Sequence, residues 1–289
     1  MIKVFVNDIP KIFNIENNQL NIIAIKALLA ALESEGLAHQ EQQKIFFDED
    51  IFISVWNIYK SSLLFFDPNY NRKSDFKLYF INIIRSLYKD EKMNFLALFC
   101  PGYTTTGYKK QVGKTNKWKL EELKKISEYF KSNNIDNDIY SYYSDVFLEN
   151  TDDIKNPEWE KEMNYNRKIF HEEGEKYFLP EFIKNASELP MFSGEENIKG
   201  YINAKIISDI NPRTYYAFTK SNEKFYNKLG FTREQMIFRN DRLITMYKML
   251  SDYINSQKNT IFLPMENMYE RENIFSENKT CTLYLKLKR

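Results

Sequence analysis

Residues 94–100, NFLALFC, are apolar at every position after Asn94, and Pro101-Gly102 closes the run. A short run without alternation is the pattern of a strand buried on both faces, as in the middle of a parallel sheet. The polar stretch beyond it holds Thr104, Thr105, Thr106, Gly107 and Gly113. Residues 117–132 then predict a helix, with Leu120, Leu123, Ile126 and Phe130 on one face, and residues 138–143, DIYSYY, alternate like a strand. Strand, helix and strand in that order form a βαβ unit, which demands a parallel sheet. The expected fold class is therefore α/β, a Rossmann-like, mostly parallel sheet flanked by helices.

The flanking segments fill out this frame. Residues 2–6 read as a short strand. Residues 19–35 read as a helix, with Leu20, Ile23, Leu28 and Leu32 near one face and Gly36 at its C-cap. Residues 50–66 are a second apolar segment, ended by the Asp67-Pro68-Asn69 turn, and residues 75–89 are a helix with Asp75 as N-cap. Residues 1–91 thus read as a mainly helical region and 92–289 as an α/β catalytic core, the two forming either separate units or one continuous domain. Asn156-Pro157 opens a polar helix over 157–178 that buries Trp159, Met163 and Phe170. Strands are expected at 201–207, 214–219, 260–265 and 280–288, and a helix at 241–256. Alternation in the last strand places Cys281 in the core.

Composition removes several classes of function. The 289 residues are 43% hydrophobic and 28% charged, which rules out a wholly disordered chain. Lys plus Arg is 41 against 40 for Asp plus Glu, so no global basic excess draws the chain to nucleic acid. Two cysteines build no disulfide scaffold, and two histidines without clustered ligands point to no metal site. The opening MIKVFVNDIPKIF lacks the build of a signal peptide, and no apolar run reaches membrane-spanning length, so a cytoplasmic protein is expected. The abundance of Asn, Ile, Lys, Tyr and Phe is that of an AT-rich genome, with a bacterial source expected.

In an open parallel sheet, ligands bind beyond the carboxyl ends of the strands. That edge reads Cys100-Pro101-Gly102-Tyr103-Thr104-Thr105-Thr106-Gly107: a thiol, hydroxyls, and glycines that let amides approach a ligand. Cys100 is either a nucleophile or a core thiol closing the strand. Gly107 to Thr115 resembles a phosphate loop with five residues in place of four between the glycines. Lys109, Lys110, Lys114, Lys117 and Lys119 cluster there, either to meet phosphates or as a solvated face. Asp145 follows the 138–143 strand and is either a base for an amine or a polar turn residue. Glu188, in SELPMF, is either a site acid or a surface residue.

From Phe95 to Phe192, LFCPGY at a strand end and Glu188-Leu189-Pro190-Met191-Phe192 later on resemble the Rossmann-type domain of tRNA-dependent cyclodipeptide synthases and, more loosely, isonitrile synthases. The resemblance carries the family's helix glutamate onto Glu188. The family's tyrosine position holds Lys184, and its nucleophilic serine has only Cys100 nearby. Over 222–250, Phe225-Tyr226-Asn227-Lys228-Leu229-Gly230-Phe231 is similar to the FYxKxGF box of GNAT-fold acetyltransferases, which would place a general acid on Tyr226. The upstream pyrophosphate loop of that family is absent at the expected distance.

Both resemblances imply transfer of an activated acyl group to an amine. The expected activity is that of a small-molecule biosynthetic transferase, with Cys100, Asp145 and Glu188 as catalytic candidates. Gly102, Tyr103, Thr104, Lys114 and Tyr226 would bind substrate. The implied co-substrate is aminoacyl-tRNA or acyl-CoA, with no tightly bound cofactor, no membrane partner and tRNA as the macromolecular partner. The alternatives are a GNAT-like acyl-CoA N-acyltransferase and a non-enzymatic binding or effector protein with an aromatic surface.

Overall fold

The computed structural model describes residues 1–62, 64, 73–99, 109–148, 157–192 and 230–265, with isolated positions between 212 and 227. Its centre is the expected parallel sheet. Strands β4 (Met93–Phe99), β5 (Asn137–Tyr143), β6 (Ile183–Asn185) and β7 (Thr260–Pro264) lie in the order β6-β5-β4-β7, all parallel. Phe95 aligns with Ile139 on one side and Ile261 on the other. The apolar run at 94–100 is thus a central strand, and its lack of alternation reflects burial on both faces.

The two faces pack against different helices. Phe95, Ala97, Phe99, Ile139, Tyr143 and Leu263 join the core with α5 (Lys109–Ser132), through Leu120, Leu123, Ile126 and Phe130, and with Phe170 of α6 (Pro157–Gly174). Leu96, Leu98, Tyr142 and Phe262 face α7 (Arg233–Ser256), through Leu243, Ile244, Met246, Tyr247, Leu250 and Ile254. Helix, sheet and helix make a three-layer α/β sandwich.

The amino-terminal region is not helices alone. It contains α1 (Ile9–Ile12), α2 (Gln19–Ser34), α3 (Glu49–Ser61) and α4 (Lys73–Tyr88), and also an antiparallel sheet in the order β1-β3-β2. Its strands are β1 (Ile2–Phe5), β2 (Ala38–Glu41) and β3 (Lys44–Phe47). The β2–β3 turn places Gln42 at φ 54°, a conformation usually signalled by Asn or Gly, so Gln-Gln hides the hairpin in the sequence. The apolar core of this region is continuous with one face of the parallel sheet. Tyr129 of α5 donates to the Ile58 carbonyl at 3.1 Å, and Asn259 Nδ2 donates to Ser86 Oγ at 3.1 Å, tying the two regions side by side.

Three further expectations are corrected. Helix α4 begins at Lys73, so Asp75 lies in its first turn, buried, where a carboxylate meets the positive end of the helix dipole. Helix α5 begins at Lys109, so Gly113, Lys114 and Thr115 lie on helical backbone and not in a phosphate-cradling loop; Gly113, poor in a helix interior, obscures this in the sequence. The backbone at Tyr216 and Thr219 is helical, not strand. There the aromatic and β-branched composition of TYYAFT yields to context, as strand propensity often does. The expected strands at 201–207 and 280–288, with Cys281, lie outside the described residues.

Candidate functional site

The strand order β6-β5-β4-β7 reverses direction once. The chain moves outward from β4 to β5 to β6, then returns through α7 to β7 on the other side of β4. Successive connections therefore leave the carboxyl edge in opposite directions between β4 and β7, the switch point at which doubly wound sheets bind ligands. Phe99, the last residue of β4, ends on this edge, and Cys100 is the next residue in the sequence. Two bonds fix the ends of the strands there. Ser144 N donates to the Phe99 carbonyl at 3.0 Å and Ser144 Oγ donates to the same oxygen, while Met265 N donates to the Leu98 carbonyl at 3.0 Å.

The helices are longer than the strands they pack on. Helices α5 and α7 have 24 residues each, and a 24-residue helix rises ~36 Å, against ~23 Å for a seven-residue strand. Each helix leads back into a strand of the sheet, α5 into β5 and α7 into β7. Helix α6 packs on the ends of β4 and β5. Its Phe170 packs on Phe99 and Tyr143, ring centroids 4.9 and 5.6 Å apart, and Tyr143 Oη reaches up to the Met163 carbonyl at 3.1 Å.

Asp145 and Glu188 both lie on this edge. Asp145 directly follows Ser144, opens the short 3-10 turn Asp145–Leu148, and is 6% exposed. Its Oδ1 accepts from Ser187 N at 3.0 Å and its Oδ2 from Ser187 Oγ at 2.5 Å. Asp145 thus pins the turn after β5 to the turn after β6. Glu188 closes that second turn, Ala186–Glu188, in a capping box with Asn185. Its Oε1 accepts from Asn185 N at 2.7 Å and from Asn185 Nδ2 at 3.2 Å. Glu188 is exposed, and its second oxygen takes part in neither bond. Asn185 in turn holds His171 of α6, with Nε2 and Oδ1 3.1 Å apart. Beneath these turns Val146, Ala186, Leu189 and Phe192 share the core of α7.

Two polar features escaped the sequence reading. Asn185-Ala-Ser-Glu188 carries the N-cap and N3 pattern of a capping box and was readable as one. Arg239 and Arg242 of α7 are 0% and 2% exposed, beside buried Asn240. Nothing in their spacing signals burial, since Arg is almost never fully buried.

The remaining candidates divide. Lys114 is placed by its backbone on α5; Lys117 is exposed and Lys119 buried. Cys100, Gly102, Tyr103, Thr104 and Tyr226 lie outside the described residues. Gly230, in the box like that of GNAT enzymes, has φ 74° and donates its N–H to the Asn227 carbonyl at 3.1 Å, the geometry of a helix terminus. Thr232 then caps α7 through Gln235. Among the described residues no group of His, Cys, Asp and Glu is arranged to hold a metal ion, and no helix is long and apolar enough to cross a membrane. No protein-family model matches the chain, and no curated protein matches it significantly.

Proposed function

We propose that the carboxyl edge of the parallel sheet is an active site in which an activated aminoacyl or acyl group passes to an amine. The observation that carries this reading is that β4, β5 and β6 end on one edge of the sheet, where Asp145, after β5, is bonded through Ser187 to the turn after β6 that carries Glu188. In the reaction, the amine nitrogen attacks the acyl carbonyl, a C–N bond forms, and the ester or thioester bond to the carrier breaks. Backbone amides of the segment from Gly102 to Thr104 would stabilise the oxyanion. Glu188, through its uncommitted oxygen, would hold the substrate ammonium and accept its proton, which then passes to the leaving oxygen or sulfur. Asp145, with each oxygen occupied by Ser187, keeps the two turns in place. Lys114 would lie against phosphates of the carrier, and Cys100 would carry the acyl group if transfer runs through a thioester intermediate.

The test follows loss of the acyl group by mass spectrometry from labelled aminoacyl-tRNAs and, separately, from acyl-CoA, with Cys100→Ala beside the wild type. Enzyme-dependent consumption of one donor supports the reading and identifies the carrier. Full activity in Cys100→Ala leaves direct transfer as the route. Consumption of neither donor refutes the reading and favours a binding protein.

A further inference from the structure

The chain has two histidines. His39 stacks on Phe46 in the antiparallel sheet, with ring centroids 4.6 Å apart. His171 lies in the last turn of α6, half-buried, with Phe170 edge-on to it at 5.5 Å. Its ring nitrogen Nε2 lies 3.1 Å from Asn185 Oδ1.

The atoms of that contact are fixed by what lies beyond it. Glu188 Oε1 already accepts from Asn185 N, so it is a hydrogen-bond acceptor. The Asn185 side-chain atom 3.2 Å from that oxygen must therefore be the amide nitrogen, because a carbonyl there would set oxygen against oxygen. The other terminal atom, Oδ1, accepts only, so His171 Nε2 must carry a hydrogen and donate it. The neutral ring is thereby held as the Nε2–H tautomer, with Nδ1 as its lone pair. A directional chain runs from imidazole N–H to amide oxygen, and from amide N–H to carboxylate.

We infer that His171 is a positioning residue for Glu188, acting through Asn185 to hold Oε1 and leave the second oxygen to the substrate amine. This rests on the role proposed above for Glu188. Side chains that orient a reacting group in this way are worth about 10–100-fold in rate. The chain also couples the end of α6 to the turn that carries Glu188.

The test has two arms. In the first, donor consumption and melting temperature are measured for wild type, His171→Leu, His171→Gln and Asn185→Asp. Asn185→Asp keeps an N-cap acceptor and the oxygen facing His171, and sets a second oxygen against Glu188. Both His171→Leu and Asn185→Asp are expected to lose about 10-fold or more in rate while remaining folded. His171→Gln, which retains an amide donor, restores most of that rate. Wild-type rates in folded His171→Leu overturn the inference. The second arm needs no donor: nitrogen-15 NMR of the uniformly labelled protein at a pH where the ring is neutral. The His171 ring is expected to show a protonated Nε2 whose hydrogen exchanges slowly with water, and that protection disappears in Asn185→Leu. A bare Nε2, or exchange equally fast in both proteins, overturns the inference. If the wild type consumes no donor, the proposed function fails and the NMR arm alone decides whether the chain exists.

Discussion

Removing the Asp145 carboxylate should loosen the carboxyl edge by a calculable amount. Its two oxygens accept one backbone and one hydroxyl hydrogen bond from Ser187 in a site that is 6% exposed. A hydrogen bond to a charged group contributes ~1.5–3 kcal/mol, and a donor left without a partner in a half-buried site costs ~1–3 kcal/mol. Because these ranges overlap in what they count, Asp145→Ala is expected to cost about 2–4 kcal/mol in all. Ser187→Ala removes the Oγ bond and leaves the backbone one, so about 1–2 kcal/mol is expected. Its loss is contained within that of Asp145→Ala. The double variant should therefore match Asp145→Ala alone, a coupling of about 1–2 kcal/mol. Urea unfolding followed by circular dichroism measures all three. A cost below ~0.5 kcal/mol for Asp145→Ala, within the range of ordinary surface substitutions, would refute the pinning role. Additive losses from the two single variants would refute the pairing itself.

Three other outcomes follow from the packing and charge pattern. A Cβ on Gly174 would stand 2.9 Å from Ile183 Cδ1 and 3.0 Å from Cγ1 and Cγ2, so Gly174→Ala forces apart the end of α6 and β6. Overpacking of ~1–3 kcal/mol outweighs a helix-propensity gain of at most ~1 kcal/mol, and a raised melting temperature would contradict this. Asn259 has φ 50° and its Nδ2 serves Ser86 Oγ and the Glu91 and Lys92 carbonyls. Asn259→Ala loses those bonds and adds ~1–2 kcal/mol of backbone strain, whereas Asn259→Gly is spared the strain, so equal stability of the two variants counts against that account. Burial tends to raise the Glu35 carboxyl, but hydrogen bonds from Lys89 at 2.6 Å and Arg85 at 3.1 Å hold it below its ordinary 4.5. A lowered folded-state value means stability that is present above pH 4.5 and lost as the pH falls through the folded value. Glu35→Gln should therefore be less stable than wild type near neutrality and converge with it in acid, and a constant gap across the pH range would contradict the ion pairs.

Where period alone decides structure, the sequence was readable. The apolar run of β4, the alternation of β5 and the apolar stripe of α5 led to a βαβ unit and a parallel sheet, and the sheet edge followed from that topology. The β2–β3 hairpin was not readable, because Gln42 takes a left-handed conformation without the residues that advertise it. Nor was β6, three residues long and preceded by Pro180. Glu188 drew attention for its chemistry, yet the capping box written in Asn185-Ala-Ser-Glu188 went unread. The link from His171 to Asn185 joins a helix end to a strand end and has no local signature. Arg239 and Arg242 reverse the usual rule for charges, so no pattern of polar and apolar residues finds them.

The most direct measurement is the rate of donor consumption by wild type and Glu188→Gln. Glutamine serves at the third position of a capping box as well as glutamate does, so this variant keeps the turn and removes only the charge and the proton-accepting oxygen. The account expects a loss of about 10²–10⁴-fold, the size of general-base catalysis, with an unchanged melting temperature. Equal rates in the two proteins would contradict it and return Glu188 to a purely structural role.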